Sequence, residues 1–500
     1  MKYLIFCRMD KLYIFAIGGT GARVMRSLTM LMAAGELTDY EVVPILIDYD
    51  VVNGNLDHTH WLMQTYKAIH EKTYDIGNGM HNEAFFCSPL SPIMGFPQNN
   101  AVGNNSFVLE MPTFHNDMRV RDLLGYHNLV GNEYSFRLLL DSLFTTDNYG
   151  ELNQNLCVGF KGNAKIARLG YAALKIQDTI EFRTFLNIID PNRDKVVVVG
   201  STFGGTGSVG ILEILRQLRC GHHFPINNIA TVLLEPYFLP MEDPALGVVD
   251  CHSVFIKRSK DFFKFYNNSG LADFVGTTYK IGMDGFVIYE SAIGGQMQRN
   301  RAHSVELLSA MAICEYARTG QQGLFEYNLG QLNLQFGHDL IEMNDFYHLP
   351  GGLRIYESLS RLLLVARFYK EYSNGNQKVI QSHFYREMQR HFPIDPSFSK
   401  ILDDIVNDFL SWVEELSCCI NNKFGLGLFN VNDPMDRMIR GRQYVRHGIF
   451  FHLFAHDIIG DYIEKMNMHY HSLRYDTISS ELLFLKLLSK SSRSIFQQFQ

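Results

Sequence analysis

Gly200-Ser201-Thr202-Phe203-Gly204-Gly205-Thr206-Gly207-Ser208 follows directly on Lys195-Val196-Val197-Val198-Val199 and runs into a helical pattern over residues 207–218. An unbroken β-branched run of this kind reads as a strand buried on both faces. Glycines in the turn let the backbone take positive φ and approach a ligand closely. The first amides of the following helix then point at any anion held in the turn, and the helix dipole favours it. A second unit of the same design lies roughly 185 residues earlier, where Leu12 to Ile17 reads as a strand and Gly18-Gly19-Thr20-Gly21 opens a helix over 21–34. One such turn is explained equally well by strand–helix geometry alone. Two in one parallel sheet can face a single ligand from two sides, one loop holding the inner phosphates and the other the terminal one. Thr206 and Ser208 add hydroxyls for phosphate or for metal-bound water.

Working outward, β-branched runs and helical patterns alternate through the first 300 residues. Strands are expected at 42–47, 156–160, 229–234 and 285–289, and helices at 166–176, 251–266 and 303–317. Alternation of this type predicts an α/β fold with a parallel sheet covered by helices, whose strand-to-helix loops share one edge. Pro44 inside the 42–47 run predicts an edge strand or a bulge. Residues 53–150, rich in Asn, Gly, Pro and His, read as a long insertion with one or two helices, one of them near 135–144. After about residue 320 the pattern turns helical, with helices expected at 354–372, 378–391, 401–421 and 442–466. The expected division is a nucleotide-binding domain over 9–300, a central helix over 301–318 and a mainly helical domain over 319–500.

Composition bounds the function. The 500 residues are 46% hydrophobic and 19% charged, which is globular rather than disordered. With 45 Lys+Arg against 52 Asp+Glu the formal charge is −7, so the chain as a whole carries no pull toward nucleic acid. The eight cysteines are scattered without a C-x-x-C pair and read as reduced thiols. Cys220-Gly221-His222-His223 lacks a second ligand pair, so no metal site is assigned. Arg8, Asp10 and Lys11 break the first apolar run, so residues 1–8 read as dispensable rather than as a signal peptide, with Met9 as a candidate start. No stretch approaches the roughly 20 apolar residues of a membrane span, and a cytoplasmic location is expected.

Three phosphate motifs can be set aside. No Lys follows the glycines as a Walker A loop requires. A dinucleotide fingerprint starting at Gly19 would place Val24 where a small residue is needed, which counts against an oxidoreductase on a Rossmann-like sheet. The lysine strand and H-R-D loop of a kinase are missing as well.

With these residues in view, the chain resembles the tubulin/FtsZ superfamily, in particular its divergent prokaryotic members. Gly204-Gly205-Thr206-Gly207-Ser208 is similar to the core of that family's G-G-G-T-G-[ST]-G signature. Gly18 to Gly21, with Ala22 in place of the usual Asn, resembles its first nucleotide loop, and Ile47-Asp48-Tyr49-Asp50 the acidic loop that follows. Gly162-Asn163-Ala164-Lys165 with Arg168 resembles the G-x-N-P-x-x-G-R segment, and Leu234-Glu235-Pro236-Tyr237-Phe238 the Pro-Phe turn. The match covers scattered motifs over residues 12–318. Phe203 stands at the signature's first glycine and Val209 at its last.

The resemblance implies GTP or GDP as the ligand, with Mg2+ held through the nucleotide phosphates, and self-assembly into filaments or oligomers with nucleotide near the subunit interface. It makes Glu242 (or Asp243) a candidate for a ribose hydroxyl, against a solvated loop acid, and Asn300 and His303 candidates for reading the purine. For His303 a helix cap or core role fits equally well. The acid that promotes hydrolysis in this family comes from the neighbouring subunit, in a pattern close to N-x-D-x-x-D. Asn344-Asp345-Phe346 is the nearest echo, with Glu326, Asp339 and Glu342 nearby, and a surface carboxylate is the plainer reading of each. Assembly-coupled GTPase activity therefore stands beside a second reading, a nucleotide-gated scaffold that does not hydrolyse. Apolar faces in the C-terminal third, such as Leu359, Leu362, Leu363, Val365 and Phe409, Trp412, Val413, Leu416, read as core, with a partner interface as the alternative.

Overall fold

The computed structural model describes residues 8–49, 54–73, 85–93, 107–109, 118–123, 125, 133–143, 150–153, 156, 160, 163–221, 224–239, 251–283, 288–289, 301–329, 340–417, 425–445, 457–474 and 479–500. The protein is α/β. Its sheet is built from β1 (Asp10–Ile17), β2 (Tyr40–Ile47), β3 (Lys195–Ser201), β4 (Ile229–Leu234), β5 (Thr277–Gly282) and β6 (Gly323–Asn328). These six strands are all parallel and lie in the order β2-β1-β3-β4-β5-β6.

Pro44 shows how sequence sets an edge. β2 is the outer strand of this ladder. On its free side Val42 N donates to the Pro89 carbonyl and Leu46 N to the Phe107 carbonyl. Alternation aims the nitrogens of residues 42, 44 and 46 at the same side. Pro44 has no N–H to give, and the ladder breaks there into isolated parallel bridges at Leu90 and Val108.

Helices cover both faces. On one side lie α1 (Gly18–Ala33), α2 (Asn55–Thr73) and, further along the chain, α6 (Ser304–Thr319). On the other lie α3 (Ala164–Leu174), α4 (Gly205–Gly221) and α5 (Cys251–Asn268). The C-terminal helices α7 (Gly352–Ser373), α8 (Pro396–Ser417), α9 (Ile458–Leu473) and α10 (Ser480–Phe496) share one apolar cluster with α1 and α2. Trp412 of α8 is fully buried and donates to Ser27 Oγ of α1 at 3.3 Å. The apolar faces at 359–365 and 409–416 are thus core.

Several expectations shift. α2, in the stretch read as an insertion, is part of the core: Leu62, Met63, Tyr66 and Ile69 are fully buried, and Thr59 Oγ1 donates to the Ala22 carbonyl at 3.0 Å. The strand expected at 285–289 lies largely outside the described residues; its end, Ile288–Tyr289, pairs with Phe238–Leu239 rather than with the main sheet. The strand expected at 156–160 also falls mostly outside them, and its described ends are turns. β6 follows α6 and extends the same sheet beyond residue 318, so α6 is a crossover helix between β5 and β6. The helix expected over 378–391 breaks at Ser382, whose hydroxyl caps a fresh helix, His383–His391. The helix expected over 442–466 begins only at Ile458. Residues 443–445 instead run against the chain's own end, Gln443 exchanging both backbone hydrogen bonds with Gln500. Cys87, Cys220 and Cys314 are free thiols. Among the described residues no helix is long and apolar enough to cross a membrane.

Candidate functional site

The chain leaves β1, crosses to β2 on one side, and returns to β3 on the other. This reversal is a topological switch point, where open parallel sheets bind ligands outside the carboxyl ends of their strands. The two strands that flank it, β1 and β3, carry the two glycine turns.

The turns abut. Gly18 has φ +73°, the left-handed region that favours glycine. A Cβ built on it would lie 3.4 Å from Gly207 N and 3.5 Å from Thr206 Cβ. Helix α1 starts at Gly18 with no side-chain cap, so its first-turn amides have no capping partner there. Gly19, Gly204 and Thr206 are only half-buried at this rim. Two glycines set how closely the helices approach. A Cβ at Gly21 would meet the Ala16 carbonyl carbon at 2.6 Å, and one at Gly207 the Ser201 Oγ at 2.7 Å and carbonyl oxygen at 2.8 Å. Val24, weighed above as a block to close packing, sits fully buried while Gly21 makes the close approach.

The other expected residues divide. Ala22 is buried beneath the first turn. Asp48, at the end of β2, is buried close enough to Tyr171 to act on its hydroxyl electrostatically. Burial first, then the charges of Asp48 and Glu213, hold the Tyr171 phenol protonated. That phenol donates to the Thr206 carbonyl at 3.3 Å, joining α3 to the second turn. Asn163 caps α3, accepting from Lys165 N at 3.0 Å. Ser208 Oγ donates to the Gly204 carbonyl at 2.5 Å. Thr20, Gly205 and Pro236 are buried. Gly162, Glu242, Asp243, Asn300, Asp339, His222 and His223 lie outside the described residues.

Phe203 packs into an aromatic cluster with Tyr237, Phe238 and Phe255, at centroid distances of 5.1–6.2 Å. Beneath it lies a polar knot. Arg23 donates to Glu306 at 2.5 Å and to the Tyr237 hydroxyl at 2.7 Å, and Tyr237 donates to Glu306 at 2.6 Å. His303 caps α6, its Nδ1 accepting from Val305 N at 3.1 Å, which places the imidazole proton on Nε2. Burial, aided by the Arg23 charge, pushes its pKa down to about 3. At 4% exposure, with Tyr237 against its ring, His303 is a cap and core residue in this structure.

Asp345 is 1% exposed and accepts from Glu342 N at 2.8 Å, capping the short helix Met343–Phe346. Among the described residues no cluster of three His, Cys, Asp or Glu could hold a metal.

On the α3–α4–α5 side a cleft of about 280 Å³ opens beside the second turn. Asn163, Ala164 and Ser208 line it, with Lys165, Arg168, Arg258, Asp261, Phe262 and Phe265. The sequence reading named Asn163, Ala164, Lys165, Arg168 and Ser208 but missed the α5 residues Arg258, Asp261, Phe262 and Phe265, and it missed Arg23 and Tyr171, while Tyr237 entered only as part of the Pro-Phe-like turn. Arg23 had a usable signal, a cation inside the apolar run Ala22 to Met25. The α5 residues had none, because only the sheet order brings that helix beside α3. Compared with protein-family models, with curated proteins and with solved structures, the chain matches none of them.

Proposed function

We propose that this protein is a tubulin/FtsZ-like guanine-nucleotide-binding protein of the cytoplasm that self-assembles into filaments or oligomers. The nucleotide would lie across the switch point, its phosphates over Gly18–Gly21 and Gly204–Ser208, with Mg2+ carried by the phosphates. One observation carries the reading: turns 185 or so residues apart in sequence come together at the carboxyl ends of adjacent parallel strands, so close that a Cβ built on Gly18 would lie 3.4 Å from Gly207 N. Backbone amides at two helix starts converge on one rim there, which is what a polyphosphate needs. Phe203, the bulkiest departure from the family signature, is buried against Phe238 and Phe255.

The test is the nucleotide that comes with the purified protein. Denaturation and chromatography should release GTP or GDP; release of NAD or FAD refutes the reading. Light scattering should rise with GTP and not with GDP. The scaffold reading has its own support, the burial of Asp345 in a helix cap, which keeps that carboxylate from a neighbour's γ-phosphate.

A further inference from the structure

The cleft between α3, α4 and α5 is walled by charge that the chain as a whole does not have. Its lining holds three cations, Lys165, Arg168 and Arg258, against the single carboxylate of Asp261, on a chain whose formal charge is −7. Lys165 and Arg168 stand one turn apart on the same face of α3, where like charges repel. Among the described residues neither has a carboxylate partner. The Arg168 guanidinium lies over the Phe265 ring at 5.4 Å, and Phe265 is 43% exposed although it faces a cleft. Phe262 beside it is buried and stacked on Tyr266 at 5.9 Å, a rigid apolar floor.

From this geometry we infer a second ligand site, for a small aromatic molecule carrying a phosphate or similar anionic group. The anion takes Arg168 and Arg258, with the Lys165 amine on the same cleft wall; the ring takes the Phe262–Phe265 wall. About 280 Å³ lies just below the range of ordinary ligand pockets and suits one ring with one anionic group rather than a polymer. Arginine and lysine divide the work by shape, the planar guanidinium giving paired donors and stacking on rings, the ammonium acting as a point charge. The site lies on the face of the sheet opposite α1 and α6, and it shares Asn163, Ala164 and Ser208 with the residues read above as nucleotide-binding, so it is a neighbour of that site with one wall in common. Ser208 borders both, which places the cleft one helical turn from the second glycine turn.

The probe is pyridoxal 5′-phosphate, an aromatic aldehyde with a phosphate. Its aldehyde carbon forms an imine with a lysine Nζ, losing water, and borohydride reduces that imine to a stable amine. On the full-length protein, mass spectrometry should find Lys165 modified at least about tenfold faster than the exposed Lys400 and Lys490, with inorganic pyrophosphate protecting it. Arg168→Gln and Phe265→Ala, both at exposed side chains, should each slow that labelling severalfold to about tenfold. Labelling of Lys165 no faster than of Lys400 and Lys490, no protection by pyrophosphate, or labelling unchanged in Arg168→Gln overturns the proposal.

Discussion

Gly21→Ala tests the close approach on which the switch-point geometry rests. The added methyl would stand 2.6 Å from the Ala16 carbonyl carbon, 3.1 Å from Ala16 Cα and 3.2 Å from the Val199 carbonyl oxygen. Carbon atoms in comfortable contact sit about 3.5–4.0 Å apart, so the first turn of α1 must lift from β1 by about 1 Å. All three obstacles are backbone, which cannot rotate away as a side-chain end can. Overpacking of this kind costs about 1–3 kcal/mol. Ala in place of Gly in a helix returns up to about 1 kcal/mol, so the middle of that range leaves a net loss of about 1 kcal/mol. Urea unfolding followed by the fluorescence of buried Trp412, which bonds to Ser27 on α1, reads the change in a Trp61→Phe background that removes the other, exposed tryptophan. The midpoint should fall with the slope unchanged. Gly150→Ala is the control, since nothing lies within 4 Å of its built Cβ. A Gly21→Ala midpoint equal to or above that of Gly150→Ala would refute the packing account.

The Arg23–Glu306 pair is buried on both sides, so Arg23→Met or Glu306→Leu alone should cost about 3–5 kcal/mol by stranding a charge, and the double variant clearly less than their sum; additive losses would show that the two do not act as a pair. His303 should make stability depend on pH. Its folded pKa of about 3 lies below the usual 6.5, so between these values the unfolded chain binds more protons. Stability is therefore full above pH 6.5 and falls on acidification toward pH 3, by up to about 1.4 kcal/mol per pH unit. His303→Asn should flatten the pH 6.5–4.5 part of the urea-midpoint profile; an unchanged slope there would remove His303 as its source. Asp345→Asn should lower stability by about 1 kcal/mol through the weakened cap and leave any phosphate release per folded molecule unchanged; abolished release with an intact fold would reinstate Asp345 as the hydrolytic acid.

The legible parts of the fold are those whose cause is local. β3 could be read because five consecutive residues, Lys195 to Val199, end in a glycine turn, and α4 and α6 fell within a few residues of expectation. β6 was missed because Gly-Leu-Phe-Glu-Tyr-Asn is short, mixed and half-exposed, and becomes a strand only by pairing with β5. The expected helix at 442–466 failed for a related reason. Residues 443–445 pair with residues 498–500, more than fifty positions away, and that pairing overrides local helical preference. At the site, His303 carried both a purine-reading and a capping interpretation, and the structure shows the cap, with the ring buried against Tyr237.

Sequence alone determined that this chain builds a parallel sheet and that two of its strands end in glycine turns opening helices, because β-branching and missing side chains act through the backbone of neighbouring residues. Only the tertiary structure decided that β3 lies next to β1, so that Gly18 meets Thr206 and Gly207 at one rim. It also decided that Arg23 finds Glu306 across 283 positions, and that α3 and α5 enclose a basic, aromatic cleft. Strand order is set by which apolar faces bury best against one another over the whole chain, and no local spacing records that sum.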